Sequence, residues 1–142
     1  MRRSLILIAA CIIQAALPGV SRAETATPVG AILPLSGDGA SYGKALQSGV
    51  ELYLAEHPQD SQALRLIYED SRLSQVDAVS AFYKLTGSDG AQVVLGPFSS
   101  SEMLSVAPLA ERSKVVLISG TATAPAISQA GDYIFRIIPS DT

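Results

Sequence analysis

After residue 27 the chain alternates between short, unbroken apolar runs and longer stretches whose apolar residues recur at helical spacing. Residues 29–33 form an apolar run stopped by Pro34, the pattern of a buried strand. Ser41 stands at an N-cap position, and residues 42–56 place Leu46, Val50, Tyr53 and Leu54 along one helical face. A second strand is predicted over 64–68, closed by Glu69 and Asp70. Ser74 with Asp77 has capping-box spacing and opens a helix whose apolar face is expected to run through Val76, Val79, Tyr83 and Thr86. Residues 92–95 read as a third strand. Ser99 with Glu102 repeats the capping-box spacing ahead of Met103, Val106, Ala107 and Ala110, and Pro108 is expected to kink that helix. Residues 115–118 read as a fourth strand, 125–130 as a short turn or helix, and 133–137 as a fifth strand.

Strands that are continuously apolar, rather than alternating, are those buried on both faces of a parallel sheet. Their alternation with helices through short links predicts an α/β class, doubly wound around a parallel sheet; an order of 2-1-3-4-5 is the one expected here among doubly wound sheets. At 142 residues and 48% hydrophobic composition, the chain allows one such domain with a real core.

The N-terminus has a different grammar. Arg2 and Arg3 precede an apolar run over 5–17 broken only by Gln14, followed by Pro18-Gly19 and the small-residue site Ser21-Arg22-Ala23. This order predicts a secretory signal peptide over 1–23, cleaved after Ala23, and hence a periplasmic location. The apolar run is too short for a permanent membrane span. Residues 8–11 resemble a lipoprotein processing box ending at Cys11. The apolar run continues through Ile12 and Ile13 where a polar tether would begin, so lipid anchoring is not expected. Cleavage leaves seven basic against thirteen acidic residues, a net charge of −6. That balance argues against nucleic acid and anionic membrane surfaces as partners, and no stable membrane insertion is expected after cleavage. Cleavage also removes the only cysteine, so the mature part at 24–142 is expected to fold without a disulfide.

In a sheet of this order, ligands bind beyond the carboxyl ends of the strands, where the strand order reverses between strands one and three. Three loops would converge there: residues 34–41, 96–101 and 119–123. The second reads Gly96-Pro97-Phe98-Ser99-Ser100-Ser101, and the third Ser119-Gly120-Thr121-Ala122-Thr123. Hydroxyls and free N–H groups dominate both, and residues 99–101 lie at a helix N-terminus, where orphan donors and the helix dipole favour an anion. Two readings of these hydroxyls stand. They form an anion site without a basic side chain, suited to a zwitterion's carboxylate, or they cap helices and fill turns.

Several stretches together carry a family resemblance. They are residues 29–37 with Ser41-Tyr42-Gly43, residues 49–55, Gly96-Pro97-Phe98-Ser99-Ser100, Thr121-Ala122-Thr123-Ala124-Pro125, and Phe135-Arg136-Ile137-Ile138-Pro139-Ser140-Asp141. The mature sequence resembles the first lobe of type I periplasmic substrate-binding proteins of the leucine/isoleucine/valine-binding family. The resemblance implies extracytoplasmic capture of an amino acid or similar small polar solute for an ABC importer. The implied partners are permease subunits, with no catalysis and no cofactor or metal. It implies that Ser100 binds the ligand carboxylate and that Thr121 and Thr123 hold the carboxylate and ammonium ends. Tyr42 would flank the ligand, with Ser99 and Ala122 beside it. The family takes branched-chain and other amino acids, amides and aromatic acids. Some relatives carry a disulfide between positions corresponding to Arg72 and Ser99, so that link is absent here. The family has two lobes, and the second supplies most of the ammonium partner and side-chain pocket. The chain stops at Thr142, before that lobe would begin, and is expected to be a fragment or a truncated product.

Other functions fit less well. Gly37, Gly39 and Gly43, with Glu69-Asp70 after the second strand, resemble a dinucleotide fingerprint, but the third glycine would have to occupy position 42, where Tyr42 stands. A phosphate loop fails because Ala45 follows Gly43-Lys44 and Asp38 replaces the first glycine. A hydrolase or metal site has one histidine to draw on, His57 beside Pro58. Keeping the fold but changing the role gives a third class, a ligand-sensing lobe of a signalling receptor or regulator.

Overall fold

A computed structural model describes residues 26–141. The predicted signal peptide, its cleavage point after Ala23 and Cys11 lie outside the described residues. The elements are β1 (Thr27–Leu33), α1 (Ala40–Glu56), α2 (Pro58–Ala63), β2 (Leu64–Asp70), α3 (Gln75–Tyr83), β3 (Val93–Leu95), α4 (Ser100–Ser113), β4 (Val116–Ser119) and β5 (Ile134–Arg136). Five parallel strands form one sheet in the expected order β2-β1-β3-β4-β5.

Local chemistry sets the helix ends. At α4 the capping box closes in both directions: the Ser99 hydroxyl accepts the Glu102 N–H at 3.3 Å, and Glu102 accepts the Ser99 N–H at 2.9 Å. At α3 only half of it forms. Ser74 accepts the Asp77 N–H, while the Asp77 carboxylate turns to Arg72 at 2.8 Å. Ser41 does not cap α1. A 3-10 turn over Gly37–Gly39 runs straight into the helix, which begins at Ala40 and leaves Ser41 inside its first turn. Gly43 is where α1 meets the β1 loop, since a Cβ there would stand 2.1 Å from the Pro34 carbonyl oxygen.

The core lies mainly between the sheet and the α3–α4 pair. Ile32, Val94 and Leu117 point into it from successive strands, against Phe82, Met103 and Val106 from the helices, all fully buried. The face of α4 is the predicted one. The face of α3 is not: Ala78, Ala81 and Phe82 are buried, while Val76 is 74% exposed and Tyr83 points outward. Both registers are apolar in sequence. The buried register is the one whose alanines let α3 approach α4 closely, so steric fit outweighs the side-chain hydrophobicity of Val76.

The other sheet face is covered by α1, and incompletely. An apolar cavity of about 640 Å³ lies between α1 and the sheet, lined by Val29, Leu46, Val50, Leu54, Leu66 and Val93 among others. Toward β5 this face opens to solvent, where Phe135 is half exposed and Ile137 is 79% exposed. The expectation of strands buried on both faces therefore holds for the α3–α4 face and fails for this one. Among the described residues the only long helix on it is α1, which lies over the β1–β2–β3 region.

Candidate functional site

The loops after β3 and β4 meet at the carboxyl end of the sheet, and hydrogen bonds from named hydroxyls join them. Ser119, the last residue of β4, is fully buried. Its hydroxyl donates to the Pro97 carbonyl at 2.9 Å and accepts the N–H groups of Thr121 and Ala122 at 3.3 and 3.1 Å. Thr121 donates to the Phe98 carbonyl at 2.6 Å. Ser100, in the first turn of α4, accepts the N–H groups of Thr123 and Ala124, both at 3.1 Å. The two hydroxyl-rich turns are thus one structure.

The first turn of α1 joins from the other side, and the β1 loop before it is held by Asp70. Tyr42 stacks on Phe98 with ring centres 5.7 Å apart. Asp70, at the end of β2, accepts the N–H groups of Leu35 and Ser36 at 2.8 and 3.2 Å, that of Arg72 at 3.0 Å, and the Ser36 hydroxyl. Burial opposes ionisation of Asp70, but these donors together outweigh it and hold its carboxyl below the usual carboxylate range.

Of the six expected site residues, the structure brings Ser100, Thr121, Thr123 and Tyr42 to the loop cluster. Ser100 uses its oxygen to accept two bonds, which leaves its hydroxyl proton without an acceptor among the described residues. Ser99 lies beside them, but its hydroxyl is engaged by the Glu102 carboxylate at 2.5 Å. Ala122 turns inward. It is fully buried and its N–H is taken by Ser119, so it supports the turn from within the core. The two positions that could have carried a disulfide each have another partner, Asp77 for Arg72 and Glu102 for Ser99.

The structure adds residues that sequence reasoning missed. Arg136 of β5 donates to the carbonyls of Thr123 and Ala124, both at 3.0 Å, and also bonds Ser128. It fixes the outer half of the third loop. Asp141 accepts the Thr123 hydroxyl at 2.7 Å, and its own N–H donates to the Thr123 carbonyl at 2.9 Å. A charged residue placed among apolar ones in a short strand, as Arg136 is, was the available signal. The run Gly39-Ala40-Ser41-Tyr42-Gly43 has the G-x-S-x-G spacing of a nucleophile elbow. It forms no elbow, because Ser41 lies within α1, and His57 is at the helix's opposite end, roughly 24 Å away at 1.5 Å per residue.

An apolar cavity of about 200 Å³ lies beneath the loops on the α1 side, lined by Leu33, Tyr68, Leu95, Phe98, Ile118 and Thr121 among others. Ser100 and Thr123 are not in its wall.

Comparison with known proteins agrees with this geometry. A family model described as periplasmic binding protein matches residues 26–142. The Leu/Ile/Val-binding protein homolog 2 of Brucella abortus (strain 2308) is 28% identical over 118 residues, which cover 80% of this chain and 31% of that protein. The gamma-aminobutyric acid type B receptor subunit 1 of Mus musculus is 31% identical over 121 residues, which cover 80% of this chain and 12% of the receptor subunit. The crystal structure of an ABC-transporter solute-binding protein from Rhodopseudomonas palustris BisB5, in complex with 3,4-dihydroxybenzoic acid, aligns with a TM-score of 0.76 at 26% identity. That alignment covers 82% of this chain and 33% of the other. The chain thus spans about a third, or less, of the length of these relatives. With a family match that runs through every described element, and with a sheet order shared with its type I members, the chain belongs to the periplasmic binding protein family.

Proposed function

We propose that the chain is the first lobe of an extracytoplasmic solute-binding protein of an ABC importer, which holds a small carboxylate such as a branched-chain amino acid. The observation that carries this reading is the state of Ser100. Its oxygen accepts two N–H groups of the third loop, and its proton remains for an acceptor at the N-terminus of α4. A ligand carboxylate there takes that proton and benefits from the helix dipole, without a basic side chain. Thr121 and Thr123 line the same loop, and Tyr42 on Phe98 supplies an aromatic wall. On this reading the protein is not an enzyme. It is exported by a signal peptide cleaved after Ala23, and it delivers solute to permease subunits.

The test is calorimetry on the full-length protein against L-amino acids and aromatic carboxylates. Binding of at least one carboxylate, weakened by Ser100→Ala, supports the reading. Failure of every carboxylate to bind overturns it.

A second reading, a sensing lobe, is favoured by the likeness to a receptor subunit. Loss of solute uptake in a deletion strain separates transport from sensing.

A further inference from the structure

We propose that Arg136 supplies positive charge to the anion site from behind it, as a positioning residue that acts on Ser100 through the peptide unit between Thr123 and Ala124. The inference rests on the solute-binding reading above and adds to it a residue of β5, outside the three loops. The NH1 group of Arg136 donates to the carbonyl oxygens of Thr123 and Ala124, both at 3.0 Å. The Thr123 carbonyl also accepts the Asp141 N–H at 2.9 Å. In a planar trans peptide the Thr123 carbonyl and the Ala124 N–H belong to one unit and point in opposite directions. That N–H donates to the Ser100 oxygen at 3.1 Å. The guanidinium and the Ser100 hydroxyl therefore sit at the two ends of a single polarisable group. A charge-assisted bond to the carbonyl makes the N–H at the other end a stronger donor. An oxygen that accepts the stronger bond is in turn a better donor of its own proton. The polarisation ends on the Ser100 proton, which has no acceptor among the described residues.

The two carbonyl bonds of Arg136 have different consequences. The Ala124 carbonyl shares its peptide unit with Pro125, which carries no N–H, so the bond to it anchors the loop and transmits nothing further. The relay runs through the Thr123 carbonyl alone. The charge that drives it is also available. The ion pairs found among the described residues are Arg72 with Asp77 and Lys84 with Glu69, and Arg136 is in neither. The Asp141 carboxylate accepts the Thr123 hydroxyl at 2.7 Å instead of the guanidinium. Arg136 is half-buried, which leaves its field less screened than that of an exposed cation, and its bond to Ser128 fixes the plane of the guanidinium. An anion at Ser100 gains from such a charge. A neutral group of the same shape gains much less, because the field acts on a dipole in place of a full charge.

The experiment is calorimetry on the full-length protein and its Arg136→Gln and Arg136→Lys variants. The probes are the common L-amino acids and benzoate, each beside its primary amide, which replaces the anionic end by a neutral one. A second measurement follows the Ala124 amide proton by NMR in the absence of ligand. In Arg136→Gln the affinity for a bound acid is expected to fall about three- to tenfold further than that for its amide. The Ala124 proton is expected to move upfield, the sign of a weakened hydrogen bond. Arg136→Lys keeps the charge but not the fork, and is expected to recover part of both effects. Equal losses for acid and amide mean that Arg136 only braces the loop, and they overturn the proposal. An Ala124 proton that stays in place when the charge is removed also overturns it, as does an Arg136→Lys protein no better than Arg136→Gln. In those cases Ser100→Ala still weakens acid binding and solute capture stands. If no acid binds at all, both readings fall together.

Discussion

Gly96 lies against Ile32 so closely that a Cβ on it would stand 2.3 Å from the Ile32 carbonyl oxygen. Its φ of +89° is also one that side chains avoid. Gly96→Ala therefore combines backbone strain with a clash against a strand that cannot shift without breaking the sheet. The expected loss is more than about 3 kcal/mol, among the largest for a single substitution. Chemical denaturation or loss of soluble expression checks it.

Ser100→Ala has a structural effect besides its effect on binding. It leaves the N–H groups of Thr123 and Ala124 without their acceptor. The expected cost is about 1–3 kcal/mol of stability, with a ligand-affinity loss of similar size, both from donors or charges left short of a partner. Ser101→Ala is the control. Ser101 is exposed, and its hydroxyl touches only Ser99, at 3.2 Å. Thermal midpoints and calorimetry on both variants decide the matter.

Asp70 makes the protein sensitive to acid. Its folded pKa is lowered, so its contribution to stability is complete above the unfolded-state value of about 3.9 and is lost as pH falls through the folded value. Asp70→Asn is expected to cost about 1–2 kcal/mol at pH 7, toward the low end because the carboxylate is partly open to solvent. The difference between the two proteins should shrink as pH is taken below the unfolded value. Urea denaturation of both at neutral pH and at about pH 3 measures this. A gap that does not narrow refutes it.

The α3 register gives a paired prediction. Phe82→Ala is expected to cost about 3–5 kcal/mol, as for other large buried aromatics. Val76→Ala is expected to stay within about 0.5 kcal/mol, because Val76 is mostly exposed. Equal effects would mean that α3 buries the face containing Val76 and Tyr83.

Hydrophobic pattern reveals elements more readily than it reveals which side of an element packs. The strands and their parallel arrangement were readable because short apolar runs alternate with helical stretches; their order was an expectation that the alternation alone does not fix. The capping box at Ser99 and Glu102 was readable because its two bonds are local. The buried face of α3 was not, since Val76 and Phe82 belong to competing apolar registers and only the closeness of α4 decides between them. Around the loop cluster, the place of Ser100 at the start of α4 was readable, and its bonds to the next loop were not. Ser119 was not, because a serine at a strand end looks like turn chemistry until two loops fold over it. Arg136 and Asp141 act through backbone carbonyls and a hydroxyl from a different loop, a relation that no spacing encodes.

The uneven coverage of the sheet has a consequence for how the sequence can vary. On the α3–α4 side every removed methylene opens a sealed void, so permitted replacements are few and nearly isosteric. Beneath α1 the lining, Val50 and Leu54 among it, borders open space, so bulkier replacements there meet a looser steric limit. A mutational survey of the two faces would therefore return different size tolerances from a single sheet: conservatism on one side, and latitude for bulk on the other.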